Sequence, residues 1–186
     1  MIRGYVFIIS AAILWGLIGI FSCLAFAEGL GPMEVAFWRA VITWFCFGAQ
    51  AAVKKELGFD KKDFPLAAVF AFLGVSLFYI SYQLAVKSGG AALASVLLYT
   101  APAWVVVCSF FIYKERLTAL KITAVISVIL GVYLISKSGA GSTGERSIGL
   151  AAILWGLTSG FCYSLYYTIG KYFPKKYSGA NLFVWV

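Results

Sequence analysis

From Gly4 to Ala27 the sequence holds no Asp, Glu, Lys or Arg, and runs of this kind recur along almost its whole length. About 20 apolar residues in a helix cross the hydrocarbon core of a bilayer, and a helix satisfies its own backbone N–H and C=O groups there. The second run starts after Glu34 and reaches Val53, interrupted by Arg39, the third covers Phe64 to Val86, and the fourth Ser88 to Tyr113. The fifth, Ile122 to Ser136, is short unless Leu117 to Lys121 joins it with the lysine reaching back to the interface. The sixth covers Ser147 to Gly170, and a seventh opens near Tyr177 but reaches Val186 before a bilayer is crossed. With 62% hydrophobic and 12% charged residues, the chain needs lipid as its solvent. The fold class expected is an all-α membrane protein, a polytopic helical bundle of six complete spans and the start of a seventh.

The connections carry the right breakers: Gly29-Leu30-Gly31-Pro32, Ser88-Gly89-Gly90 and the stretch from Ser138 to Gly144. Lys54 to Asp63 is the long charged loop. Cations near helix ends are retained in the cytoplasm. One side of the membrane receives Arg3; Lys54, Lys55, Lys61 and Lys62; Lys114, Arg116 and Lys121; and Lys171, Lys175 and Lys176. The other receives only Lys87, Lys137 and Arg146. This bias predicts a multi-pass protein of the cell membrane with a cytoplasmic N-terminus. The net charge of +8 is then a topology signal spread over short loops, not the basic face of a nucleic-acid binder.

Ala11-Ala12-Ile13-Leu14-Trp15-Gly16-Leu17 returns unchanged as Ala151-Ala152-Ile153-Leu154-Trp155-Gly156-Leu157. An odd number of helices before the second copy turns it upside down relative to the first, the arrangement of inverted-repeat transporters. A cleaved secretory signal ending at Ala25-Phe26-Ala27 is not expected. The apolar stretch is longer than the 7 to about 15 residues of a signal core, and its sequence recurs where no signal could act.

The stretch from Tyr79 to Pro102, with Tyr82-Gln83, Ser88-Gly89-Gly90 and Tyr99-Thr100-Ala101-Pro102, resembles the third-to-fourth helix signature of the drug/metabolite transporter superfamily, in particular its EamA-type members. Trp15-Gly16, Pro32 with Phe37-Trp38-Arg39, the Lys114-Glu115-Arg116-Leu117-Thr118 turn and Gly131-Val132-Tyr133-Leu134-Ile135 follow in the same order. The resemblance implies ten helices as two inverted five-helix repeats around a cavity from which metabolites, amino acids or toxic compounds are exported by alternating access. On that pattern residues 1–137 form the first repeat, 138–147 an external linker and 148–186 an incomplete second repeat. Four helices of the family pattern, counting the truncated seventh, would be missing. Such a chain is a transporter, or else a non-transporting membrane remnant or partner-dependent half-subunit, for which a second half or a homo-oligomer completes the pathway.

Among single residues Arg39 stands out. A cation within a span is unfavourable by about 2.5 to 3.5 kcal/mol on insertion scales, and at five residues from Glu34 it lies about 7.5 Å below the boundary. It is either an anchor paired with Glu34 or Glu28, or part of the transport route. Pro102, read as mid-helix, weakens the hydrogen-bond ladder and frees carbonyls beside Tyr99 and Thr100 to face a substrate or a neighbouring helix. Trp15, Tyr99, Trp155 and Tyr163 sit away from loop ends, where an indole N–H or phenol needs a partner. With Tyr79, from the family signature, they complete the pathway candidates: Trp15, Arg39, Tyr79, Tyr99, Pro102, Trp155 and Tyr163. Gly16, Gly19, Ala67, Ala71, Gly74, Ala91, Ser95, Gly156 and Gly160 offer small faces for helix packing.

None of the six complete spans carries an Asp or Glu, so a proton relay would have to use loop acids or missing helices. Glu115 is the nearest, between Lys114 and Arg116. There is no His, and Cys23, Cys46, Cys108 and Cys162 are widely spaced. A zinc site or a Cys/His nucleophile therefore has no ligand set. The expectation is no metal, no cofactor and no enzymatic role, with the lipid bilayer and a small-molecule solute as partners and no nucleic acid.

Overall fold

The computed structural model describes residues 2–114, 118–138, 149–173 and 177–186. Glu115, Arg116, Arg146, Lys175, Lys176 and almost the whole 138–147 linker lie outside the described residues. Within them the chain is all helical: α1 Ile2–Ala27, α2 Pro32–Val53, α3 Phe64–Val69, a π-helical stretch Phe70–Ser76, α4 Leu77–Leu98, α5 Ala101–Tyr113, α6 Ala119–Ser138, α7 Leu150–Gly170 and α8 Gly179–Trp185. By length and composition Gly4–Ala27, Pro32–Val53 and the helical stretch Lys61–Leu98 suffice to cross a membrane, and Ala101–Phe111 is a shorter apolar helix. The chain is thus a polytopic helical membrane protein. The fifth run is extended at its start by Ala119 to Lys121, with Thr118 outside the helix and Leu117 outside the described residues: α6 has 20 residues.

Local chemistry explains the turns. Gly29, at φ 92°, closes α1 in the left-handed region, with Leu30 N–H donating to Ala25 O (3.1 Å) and Gly29 N–H to Phe26 O (3.2 Å). Pro32 then opens α2 where a missing N–H costs nothing, and the Glu34 carboxylate accepts from Gly31 N–H at 2.6 Å. Gly90 has φ 81° and ψ 161°, a conformation open to glycine. It divides α4 and reverses the chain: Tyr82 Oη and Ser95 Oγ stand 3.4 Å apart, although 13 residues of straight helix would separate them by about 20 Å. The expected loop at Ser88-Gly89-Gly90 therefore shrinks to one residue, and helix persists through Ser88 on its N-terminal side.

The fourth run is not one helix. α4 ends at Leu98, and Pro102 lies in the first turn of α5 rather than mid-helix. The ladder breaks at Tyr99 and Thr100, because the proline ring cannot sit deep within a helix but fits its first turn. The break is filled by α7: a Cβ on Gly160 would stand 2.8 Å from Leu97 O and 3.3 Å from Leu98 O. Leu97 O also accepts from Thr100 N–H (3.1 Å) and from Thr100 Oγ1 (2.7 Å).

α7 is the central helix. Its neighbours pair as Phe70 with Phe173, Gly74 with Tyr166, Phe78 with Tyr163 and Gly89 with Ala152, so it runs antiparallel to the limb before Gly90. It runs parallel to the limb after it, through Leu97 with Gly156, Thr100 with Gly160 and Trp104 with Phe161. α1 meets the limb before Gly90 in the same sense, Gly19 beside Tyr82 and Phe26 under Lys87. α1 and α7 accordingly point in opposite directions. In lipid, close backbone approach and self-satisfied polar side chains hold such a bundle. Ala85, Ala94, Ala152, Ser159 and Ser164 are fully buried, and the Ser159, Ser164 and Thr168 hydroxyls donate to carbonyls of their own helix.

Candidate functional site

α2 and the limb of α4 before Gly90 face one another across a groove of about 520 Å³. Met33, Ala36, Phe37, Ala40 and Val41 form its α2 wall, Val75, Ser76, Tyr79 and Ile80 the opposite one, and Phe183 and Val186 close its end. It is mostly apolar, with Thr43, Trp44, Ser76 and Tyr79 as its polar-bearing groups. Such lining suits an organic solute with few polar groups.

Arg39, on α2, is not itself one of the lining groups and meets the groove through Tyr79 of its wall. Its guanidinium carbon is 4.2 Å from the Tyr79 ring centre and 5.9 Å from that of Phe78, a cation–π arrangement. Nη1 is buried without a hydrogen-bond partner. The expected pairing with Glu34 is not formed, since that carboxylate caps α2 through Gly31 N–H. The reason is local: the four orphan N–H groups of the helix start lie nearer to Glu34 than a guanidinium more than one turn deeper.

Phe78 carries the cluster onward. Its ring stacks on Tyr163 at 5.2 Å, and Tyr163 Oη and Tyr167 Oη are 2.9 Å apart. Tyr166 continues the aromatic wall to Phe70 (5.2 Å) and to Phe183 (6.2 Å) at the groove's end. Arg39, Tyr79 and Tyr163 are thus brought together. Tyr99 stands at the α4–α5 break and is 68% exposed. Trp15, 63% exposed on α1, and Trp155, 37% exposed on α7, are not part of the cluster. Pro102 is exposed at the start of α5 and shapes the break without joining it.

Phe78, Tyr82, Gln83, Tyr166 and Tyr167 were not among the candidates. Tyr79 with Tyr82 and Gln83, and Tyr163 with Tyr166 and Tyr167, stand at i, i+3 and i+4, where side chains share a helix face. That spacing is the signal that would have found them. Gln83 is 1% exposed, and neither Oε1 nor Nε2 has a partner. All four cysteines are free, and among the described residues no group of three or more His, Cys, Asp or Glu gathers.

A second polar cluster ties α8 to the loop after α2. Asn181 Nδ2 donates to Glu56 O and to Gly58 O (2.9 Å), Trp185 Nε1 to Leu57 O (3.2 Å), and Tyr177 Oη to Asp63 Oδ2 (2.6 Å) while accepting from Asp60 N–H (3.0 Å). Trp44 Nε1 donates to Val184 O at 3.2 Å, and Phe47 stacks on Phe183 at 4.8 Å. The start of the seventh run is therefore docked on α2.

Residues 2–137 match the model of the EamA-like transporter family. The chain is 29% identical over 150 residues to the uncharacterized transporter YdfC of Bacillus subtilis, which covers 81% of this chain and 48% of that protein. It is 27% identical over 169 residues to an uncharacterized transporter of Archaeoglobus fulgidus, covering 90% of the chain and 57% of the relative. With the uncharacterized inner membrane transporter YicL of Salmonella typhimurium it shares 24% over 172 residues, 89% of the chain and 56% of the relative. The chain spans about half the length of the curated relatives it matches. No solved structure matches. A chain built from apolar membrane helices, matched by the family over residues 2–137 and similar to named transporters, belongs to the EamA-like transporter family.

Proposed function

We propose that this chain supplies the first repeat and the opening of the second in a carrier that exports small organic solutes, such as metabolites, amino acids or toxic compounds, across the cell membrane. Residues 1–137 form the first unit, 138–147 an external linker and 148–186 the part of the second unit carried here, with the N-terminus in the cytoplasm. Alternating access between inverted units moves the solute, and a second half or another copy completes the pathway. The opposite senses of α1 and α7, which carry the two copies of the heptapeptide, support this reading.

The observation that carries the route is Arg39: a cation inside a span with Nη1 buried and unpartnered, laid on the Tyr79 ring that forms part of an apolar groove's wall. An ionisable residue within a span is costly in hydrocarbon and faces a bundle interior or a water-filled cavity, where solute and ion pathways run. In this reading Tyr79, Tyr163 and Tyr99 line the same route and Pro102 sets the break that places Tyr99, while Trp15 and Trp155, at matching positions in the two copies of the heptapeptide, are candidates outside the aromatic cluster. Cells expressing the chain, challenged with a panel of toxic amino acids and metabolite analogues, test this. Protection from at least one compound that disappears in Arg39→Ala at equal membrane abundance is the expected result. Protection that survives Arg39→Ala unchanged would remove Arg39 from the route.

A further inference from the structure

The groove's chemistry narrows the solute. Every polar hydroxyl of α7 that is buried bonds to its own helix, and Trp44 Nε1 is taken by Val184 O. Two groups stay unsatisfied beside the aromatic cluster: Arg39 Nη1, and the amide of Gln83 one helical turn beyond Tyr79. In a low-dielectric bundle an unpartnered buried polar group is costly, and a charge more so. No Asp or Glu occurs between Val35 and Val53, between Phe64 and Tyr113, or between Tyr177 and Val186, the stretches that surround the groove. Glu34 is held by Gly31 N–H at 2.6 Å. Among the described residues the Arg39 guanidinium thus lies on the Tyr79 ring with no carboxylate partner, and Tyr79 is also part of the wall of a cavity with room for an apolar body.

We infer that the Arg39–Tyr79 pair is an anion-recognition subsite, selecting solutes that carry a carboxylate, phosphate or similar oxyanion on an apolar body. This deepens the proposed function and rests on the groove being part of the route. A planar guanidinium offers a fork of N–H donors that an oxyanion engages with two parallel hydrogen bonds, and stacking on Tyr79 fixes the plane of that fork. The apolar body takes up Ala36, Ala40, Val75 and Ile80. A cationic head would face like charge at short range in low dielectric. A lipid phosphate has the same chemistry as a solute oxyanion, and the solute is favoured here because Tyr79 belongs both to the cation–π pair and to the groove wall.

The test uses three probes with one apolar body and different heads: 4-phenylbutyrate, 4-phenylbutan-1-ol and 4-phenylbutylamine. Affinities are measured by calorimetry on the purified chain, in maltoside micelles and in phosphatidylcholine nanodiscs. The expected result is about tenfold or greater preference for the carboxylate over both others in both media, the discrimination of one charge-assisted hydrogen bond. Arg39→Gln removes that preference, and Arg39→Lys, which keeps the charge but not the fork, retains part of it. The comparison among heads on the unmodified chain stands even where a variant does not insert. Equal affinities for the three heads, or a preference that persists in Arg39→Gln, would overturn the anion subsite while leaving the groove as a route. A preference seen in micelles and absent in nanodiscs would assign Nη1 to lipid phosphate and overturn the solute site. Failure of all three probes to bind would overturn the route, and the subsite with it.

Discussion

The Arg39 guanidinium carbon lies 4.2 Å from the centre of the Tyr79 ring, so a cation at membrane depth is held by an aromatic face and not by a carboxylate. Cation–π pairs contribute about 0.5 to 2 kcal/mol, more when desolvated. A double-mutant cycle between Arg39→Gln and Tyr79→Leu, read by reversible unfolding in mixed micelles, should give a coupling energy in that range. Tyr79→Phe should stay close to the unmodified chain, because it keeps the ring. Additive effects of the two substitutions would show that the pair does not interact in the membrane.

The two copies of the heptapeptide should respond differently to one added methyl. A Cβ on Gly156 would lie 2.7 Å from Leu97 Cβ, whereas a Cβ on Gly16 meets nothing within 4 Å. Gly156→Ala should destabilise by about 1 to 3 kcal/mol through overpacking. Gly16→Ala should be neutral or stabilising by up to about 1 kcal/mol, as expected of an open helical site. Equal thermal shifts for the two variants in detergent would contradict the packing of α7 against α4.

Gly160 offers a sharper case, because beside the Thr100 hydroxyl its nearest neighbours are two backbone carbonyls. A Cβ there would meet Leu97 O at 2.8 Å, and carbonyls of a helix end cannot move aside as a leucine side chain can. Gly160→Ala should cost about 2 kcal/mol or more, and Gly160→Val should prevent stable accumulation in the membrane. Normal abundance of Gly160→Val, measured by quantitative blotting, would place the α4–α5 break elsewhere.

Asn181 holds the loop after α2 through two carbonyls, those of Glu56 and Gly58. Replacing it by Ala removes two hydrogen bonds of about 0.5 to 1.5 kcal/mol each. Local opening of the loop should then rise about tenfold, read as faster trypsin cleavage at Lys61 and Lys62 on inside-out vesicles. Unchanged cleavage would mean that the aromatic contacts of Phe59 with Tyr177 and Trp185, at 4.7 and 5.6 Å, hold the loop alone.

Reporter fusions within Lys54 to Asp63 should be active on the cytoplasmic side, and fusions within Ser138 to Glu145 on the external side. The opposite pattern would refute the orientation derived from the distribution of Lys and Arg.

The sequence by itself determined the solvent and the number of apolar runs. Charges cannot be placed freely in hydrocarbon, so their positions delimit helices whatever those helices touch. It also marked the turns at Gly29 and Gly90, because a φ of 92° or 81° is a local demand that glycine meets without a steric penalty. Arg39, Tyr79 and Tyr163 were legible as unusual residues in apolar surroundings. What covers them was not. Only the tertiary structure decided that Glu34 caps α2 instead of pairing with Arg39, that Pro102 opens a helix instead of kinking one, and that Gly156 is packed while the identical Gly16 faces outward. In lipid, apolar surface is not driven inward, so an apolar pattern carries little information about which face meets another helix. That choice rests on close backbone approach and on polar groups finding partners, which arise only when distant segments are brought side by side.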